Sequence, residues 1–306
     1  MHSCAGVLCA IILVVLLASA QAGEQAITVN VDLVNIYFTV CNKKGRIIPN
    51  LERERFTVSE DGNRQTVTNF SRETDVPLTI TLLIDTSGSV RYKLGFEQDA
   101  AIHFLNSTLR PAGDKAAVFS FDSSVNLLED YTYDSELLAN AVRRTRSGGG
   151  TRLYDALYVL LTGTVAAQEG RRGIVLLTDG DDKSSRITPR QVVEAAQRSN
   201  AAIYAVSVNS FGMPLNDSDR IDGVLEMLAA ETGGQAFFPK GVKELSSSFK
   251  VITNELRSQY TIAYRSTNPK RDGAFRKIRI EVKDAHHSVR SRTGYDAPIS
   301  ATAEQR

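Results

Sequence analysis

The sequence of 306 residues predicts an α/β fold: a doubly wound, mostly parallel sheet with helices on both faces, plus a β-rich accessory module from the N- and C-terminal flanks. Two observations carry this. Over residues 76–257 apolar strand-like segments alternate with amphipathic helical ones, the pattern of a parallel sheet covered by helices. On either side, residues 23–75 and 258–297 read as strands alone, and each flank is too short to bury a sheet face by itself. Their union is expected as a small sandwich or sheet into which the larger domain is inserted.

The first segment belongs to neither part. Residues 1–23 contain no Lys, Arg, Asp or Glu, and 7–18 form a near-continuous apolar run, too short for a comfortable membrane span. Ala18, Ala20 and Ala22 follow at A-x-A spacings, so residues 1–22 read as a secretory signal peptide cleaved after Ala20 or Ala22. The alternative is an uncleaved anchor. Cleavage removes Cys4 and Cys9 and leaves Cys41, so the mature chain forms no intrachain disulfide. The expected location is outside the inner membrane: periplasmic, cell-surface or secreted.

Composition bounds the function. At 42% hydrophobic and 23% charged residues the chain is globular rather than disordered. With 36 Lys+Arg against 35 Asp+Glu it has no basic excess to drive nucleic-acid binding. A membrane partner is expected only if the N-terminal segment is retained.

In the N-terminal flank, residues 27–40 are rich in β-branched and aromatic residues, and strands at 56–58 and 66–67 surround the Asp61-Gly62 turn. The alternating region follows. Strands are expected at 78–84, 116–121, 125–128, 173–178, 202–208 and 236–238. Helices are expected at 92–109, 135–144, 153–168, 189–199, 221–232 and 242–257. For 92–109 the buried stripe is read as Phe96, Ala100, Ala101, Phe104, Leu105 and Leu109. Pro189 suits a first helical turn, and Gly233-Gly234 a helix stop. The C-terminal flank holds strands at 260–264, 278–282 and 289–293, and residues 298–306 read as a frayed tail.

In open parallel sheets ligands sit where strands end and helices begin. Strand 78–84 ends in Asp85-Thr86-Ser87-Gly88-Ser89, the loop before the 153–168 helix is Gly148-Gly149-Gly150-Thr151, and strand 173–178 ends in Asp179-Gly180. Asp85, Ser87, Ser89, Thr151 and Asp179 thus share one edge of the sheet. An all-oxygen set suits a hard divalent cation, Mg²⁺ before Ca²⁺ or Mn²⁺. Two carboxylates about 6 Å apart repel by roughly 3 kcal/mol at an effective dielectric of ~20, and a cation removes that cost. Neutral hydroxyls leave the ion residual positive charge, so an open position attracts an acidic group from elsewhere.

These five residues, in the order strand–DxSxS–helix, Thr loop, strand–TDG, resemble the metal-ion-dependent adhesion site (MIDAS) of von Willebrand factor type A domains. The segments 56–62, 149–156, 231–234, 255–260 and 292–295 extend the resemblance to the VWFA-related domain family of exported bacterial proteins. The resemblance implies the α/β (Rossmann-like) fold and a metal site. Asp181 and Asp182 read as solvated loop residues, and Arg271-Asp272-Gly273 as a hairpin turn.

The expected function is a metal-dependent, adhesion-type protein-binding module, not an enzyme, whose partner offers an acidic side chain to the cation. A metal-assisted hydrolase is the first alternative, but no general base can be assigned among His103, His286 and His287, and no P-loop is present. An envelope structural protein with a purely structural metal is the second.

Overall fold

The computed structural model describes residues 33–72, 77–111, 113–208 and 218–299. The expected signal peptide and most of the expected tail lie outside the described residues. In chain order the flank supplies β1 (Leu33–Asn42), β2 (Phe56–Glu60), β3 (Asn63–Gln65) and β4 (Val67–Ser71). The α/β region follows as β5 (Leu78–Asp85), α1 (Leu94–Thr108), β6 (Lys115–Phe121), β7 (Val125–Thr132), α2 (Ser135–Arg143), α3 (Leu153–Thr162), β8 (Arg171–Thr178), α4 (Pro189–Arg198), β9 (Ala201–Ser207), α5 (Ser218–Thr232), β10 (Ala236–Phe237) and α6 (Val242–Arg257). The second flank adds β11 (Tyr260–Arg265), β12 (Phe275–Val282), β13 (His287–Ser291) and β14 (Gly294–Asp296).

The central sheet has the order β10-β9-β8-β5-β6-β7. Its pairs are parallel except β6–β7, because β7 returns directly from β6 through a tight loop. Every residue of β5 is buried, as a central strand covered on both faces requires. α1, α2 and α6 cover one face and α3, α4 and α5 the other. Chain direction through the sheet reverses at the β5/β8 pair, the topological switch point where clefts form at strand C-termini.

The two flanks build a sandwich. One sheet has the order β13-β1-β11-β4 and the other β14-β12-β2-β3, so each sheet mixes strands from both ends of the chain. They share a core that includes Val34, Ile36, Phe38, Phe56, Val58, Tyr260, Ile262 and Ile278. Phe38 stacks on Tyr260 at 5.2 Å and meets Phe56 edge-on at 5.1 Å, the offset and T-shaped contacts that aromatic quadrupoles favour.

Three local expectations are corrected. The helix expected to reach residue 168 ends at Thr162, because the chain leaves helical geometry at Gly163 and Val165 N–H closes back on the Leu160 carbonyl at 2.8 Å. The strand expected at 289–293 is β13, which ends at Ser291, and a further, unexpected strand, β14, follows it at Gly294–Asp296 in the other sheet of the sandwich. Phe96, expected in the buried stripe of α1, is 51% exposed, while Glu97 is 1% exposed. At 100° per residue Glu97 falls between Phe104 and Ala101 on the core face, and Phe96 falls 100° round from it, at the edge of that face.

The sandwich meets the α/β domain through a buried polar joint. Arg290 of β13 donates to Glu255 of α6 at 2.6 Å, and also to Gln235 and to the Cys41 thiol. Burial pushes the Glu255 carboxyl up from 4.5 to about 6, against the pull of Arg290. A folded-state value above the unfolded one means that the native state holds the proton more tightly. This contribution to stability is therefore complete below about pH 4.5 and is lost as pH rises through about 6, by about 2 kcal/mol. Urea unfolding from pH 4 to 7 checks it: the stability of wild type relative to Glu255→Gln is expected to fall across that window, and a flat difference counts against it.

Candidate metal centre

β5 and β8 run side by side, with Ile84 opposite Leu177, so their next residues, Asp85 and Thr178, emerge together at the sheet edge. The Thr178 hydroxyl donates to Asp85 Oδ2 at 2.6 Å, and the Ser87 backbone N–H donates to Asp85 Oδ1 at 2.8 Å. Both carboxylate oxygens are thereby aimed. Ser87 and Ser89, two residues apart, turn their hydroxyls toward each other at 2.9 Å. Gly180 N–H donates to the Thr178 hydroxyl at 2.9 Å and turns the chain after Asp179.

The Thr151 loop is sewn onto the same edge. Gly148 N–H donates to the Thr86 carbonyl at 2.7 Å, and Gly88 N–H to the Gly149 carbonyl at 3.3 Å. Gly149 has φ +74°, and a Cβ there would stand 3.0 Å from the Asp122 carboxyl, so a glycine is what lets the Thr151 loop lie against the loop between β6 and β7. On its other side Lys183 N–H donates to the Thr151 carbonyl at 3.0 Å, tying this loop to the one after Asp179. The structure therefore brings all five residues to one edge: Asp85, Ser87, Thr151 and Asp179 are buried and Ser89 is exposed at the rim.

The loop acids read from sequence as solvated have defined work. Asp182 accepts from the Ser185 hydroxyl at 2.6 Å and from the Tyr154 backbone N–H at 3.3 Å, bracing the start of α3. Asp181 pairs with Lys183. Neither signal is readable from one sequence, because both depend on where the loop folds back.

Electrostatically the edge is strained. Burial pushes the Asp85 carboxyl up to about 6; hydrogen bonds from Thr178 and Ser87 oppose that push and the charge of Asp179 adds to it. Burial also holds Glu97 well above the ordinary glutamate range, and the charges of Asp85 and Asp179 raise it further. Among the described residues neither Asp85 nor Asp179 forms an ion pair, and both carboxylate oxygens of Glu97 lack a hydrogen-bond partner. Among the described residues no three Asp, Glu, His or Cys side chains converge closely enough to ligate one ion together. The donor set is thus two carboxylates with hydroxyls. It fits a hard divalent cation, which would relieve the buried negative charge and accept neutral oxygens beside it.

The fold has relatives of known structure at low sequence identity. The D319A mutant of the PilB minor pilin from Streptococcus sanguinis aligns at TM-score 0.50 and 11% identity, covering 60% of this chain and 62% of that one. Proximal thread matrix protein 1 from the mussel byssus aligns at TM-score 0.51 and 16% identity, covering 68% and 51%. A further structure of that mussel protein, with a zinc-occupied MIDAS motif, aligns at TM-score 0.50 and 16% identity, covering 64% and 49%. The chain thus spans less than two thirds of each of these structures. A comparison with curated proteins found no match. Residues 79–251 match the von Willebrand factor type A domain, a span from β5 into α6 that contains the whole carboxylate–hydroxyl edge. That span is more than half of the sequence, and the chain belongs to the von Willebrand factor type A domain family.

Proposed function

We propose that the chain is an exported, metal-dependent binding module. Asp85, Ser87, Ser89, Thr151 and Asp179 hold a divalent cation, Mg²⁺ first, and an Asp or Glu of a protein partner completes its coordination. One observation supports this most: two buried carboxylates meet at the ends of adjacent strands, rimmed by hydroxyls, with no Lys, Arg or His paired to either among the described residues. A bound divalent cation supplies an electrophilic open position. This chain's own residues do the rest. Thr178 and the Ser87 N–H orient the Asp85 carboxylate, and the glycine loop carries Thr151 to it. Tyr92, 86% exposed and three residues beyond Ser89, stands where it can touch a docked partner.

In the same reading residues 1–22 are the export signal, 76–257 carry the site, and 23–75 with 258–297 form the β module that presents it. The partner is a protein surface that offers a carboxylate.

Melting of the mature chain in EDTA and in millimolar Mg²⁺, Mn²⁺ or Ca²⁺ tests the cation. Zn²⁺ is added to the set because the mussel protein's MIDAS holds it. An ion that binds only the folded state adds about 2.7 kcal/mol at a hundredfold excess over its dissociation constant, which raises the midpoint of a domain this size by roughly 5–10 °C. An unchanged midpoint with every ion removes the physical basis of the reading. Selection of displayed peptides on the immobilised chain in Mn²⁺ tests the partner chemistry. Enriched peptides are expected to contain Asp or Glu and to elute with EDTA.

A further inference from the structure

Six acidic side chains are buried among the described residues, and their surroundings differ in one respect. Glu60 accepts from Tyr264, Ser266 and Tyr295. Asp114 accepts from Arg257 and two backbone N–H groups, and Glu255 from Arg290. Asp85 and Asp179 accept from their own strand-end turns. Glu97 accepts from nothing on either oxygen, although it is only 1% exposed.

A buried carboxylate without a donor costs several kcal/mol, and packing does not demand one here. α1 places Glu97 in line with Leu94, Ala101, Phe104 and Leu105 on its core face, and leaves Phe96, one residue earlier, half-exposed. An apolar residue at 97 would serve the core better. Glu97 lies in the first turn of α1, eight residues beyond Ser89, so its buried side chain sits next to the loop that carries the metal edge, where the charges of Asp85 and Asp179 act on it against that of Lys93. It stands outside the direct ligand set, since no three carboxylates converge on one point among the described residues.

Resting on the cation reading above, we propose that Glu97 is an outer carboxylate of the centre, accepting hydrogen bonds from the hydration shell of an ion held by Asp85 and Asp179 and strengthening its binding. The chemistry is consistent with Mg²⁺ and Mn²⁺, which keep several waters when bound by one or two carboxylates. Outer partners of this kind change metal affinity by about 10–100-fold. Glu97 is a positioning residue: it acts on the ion through water and touches no partner.

The test is Mn²⁺ affinity of the full mature chain, read from the spin-resonance signal of free Mn²⁺. Glu97→Gln keeps the shape and removes the charge. Glu97→Leu replaces it with an apolar residue suited to a helix core, and circular dichroism verifies that each variant is folded. Both variants are expected to bind Mn²⁺ at least tenfold more weakly than wild type, while their midpoints in EDTA stay level or rise because a carboxyl buried beside Asp85 and Asp179 is gone. If wild type binds Mn²⁺ and a folded variant binds it equally well, the inference is overturned and the metal centre stands. If wild type itself binds no Mn²⁺, the centre and the outer carboxylate fall together.

Discussion

Asp179→Ala is expected to abolish the cation-dependent rise in melting midpoint while leaving the metal-free chain as stable as wild type, or slightly more so. The two halves of this result have one cause. In the proposed centre Asp179 supplies half of the direct carboxylate charge, and losing it would remove a ligand that the neutral hydroxyls cannot replace. In EDTA, however, Asp179 repels Asp85 across a buried edge, and that repulsion disappears with it. The expected loss is the whole increment of roughly 5–10 °C expected of wild type at a hundredfold excess of metal. Ser87→Ala and Thr151→Ala keep both charges and are expected to shrink the increment without erasing it. A variant midpoint that still climbs with Mg²⁺ or Mn²⁺ as wild type does would place the ion elsewhere.

The largest expected loss of stability lies at the other end of the sheet. Gly234→Ala is expected to cost about 4 kcal/mol or more, enough to lower the midpoint by roughly 8–16 °C or to prevent folding. A Cβ at residue 234 would sit inside the van der Waals surface of the Ile203 carbonyl oxygen and 2.7 Å from its carbonyl carbon. Both are backbone of β9, so no side-chain rotation relieves the clash. The next residue, Gln235, accepts the Ala205 N–H at 3.1 Å, so moving the chain away also breaks a sheet contact. Gly223, inside α5 with nothing near its Cβ position, is the control. Gly223→Ala is expected to stabilise by up to about 1 kcal/mol through helix propensity and a less flexible unfolded chain. Urea unfolding of the two variants checks both signs, and a mild effect at 234 would refute the packing argument.

The glycine pair shows how far one sequence can be read. Gly233-Gly234 is legible as a helix stop, and α5 does end there. That Gly233, at φ +85°, also lies against the backbone of Ser291 and Arg292 is not legible, because those residues arrive from the far end of the chain. The Thr293 hydroxyl completes the same contact on Glu231. Both segments stood out in the sequence as separate motifs, and only folding makes them one joint. The placement of Phe96 in the buried stripe failed for a different reason. Hydrophobicity alone puts Phe96 in the core, but the angular spacing of α1 puts Glu97 there, and a buried glutamate breaks the rule that apolar residues mark the inward face.

By itself the sequence determined the alternation of elements, the mostly parallel central sheet, the all-strand flanks and the order of the five oxygen-bearing residues along one sheet edge. Those properties are local: apolar runs, helical spacing and turn residues act over a few positions, and strand order follows from short right-handed connections. Tertiary structure alone decided that the two flanks divide between two sheets, that Asp182 braces α3, that Arg290 and Glu255 join sandwich to domain, and that Glu97 is buried without a partner at the start of α1. Each of these depends on groups far apart in the chain meeting away from water, where an unpaired polar atom is costly enough to dictate its partner.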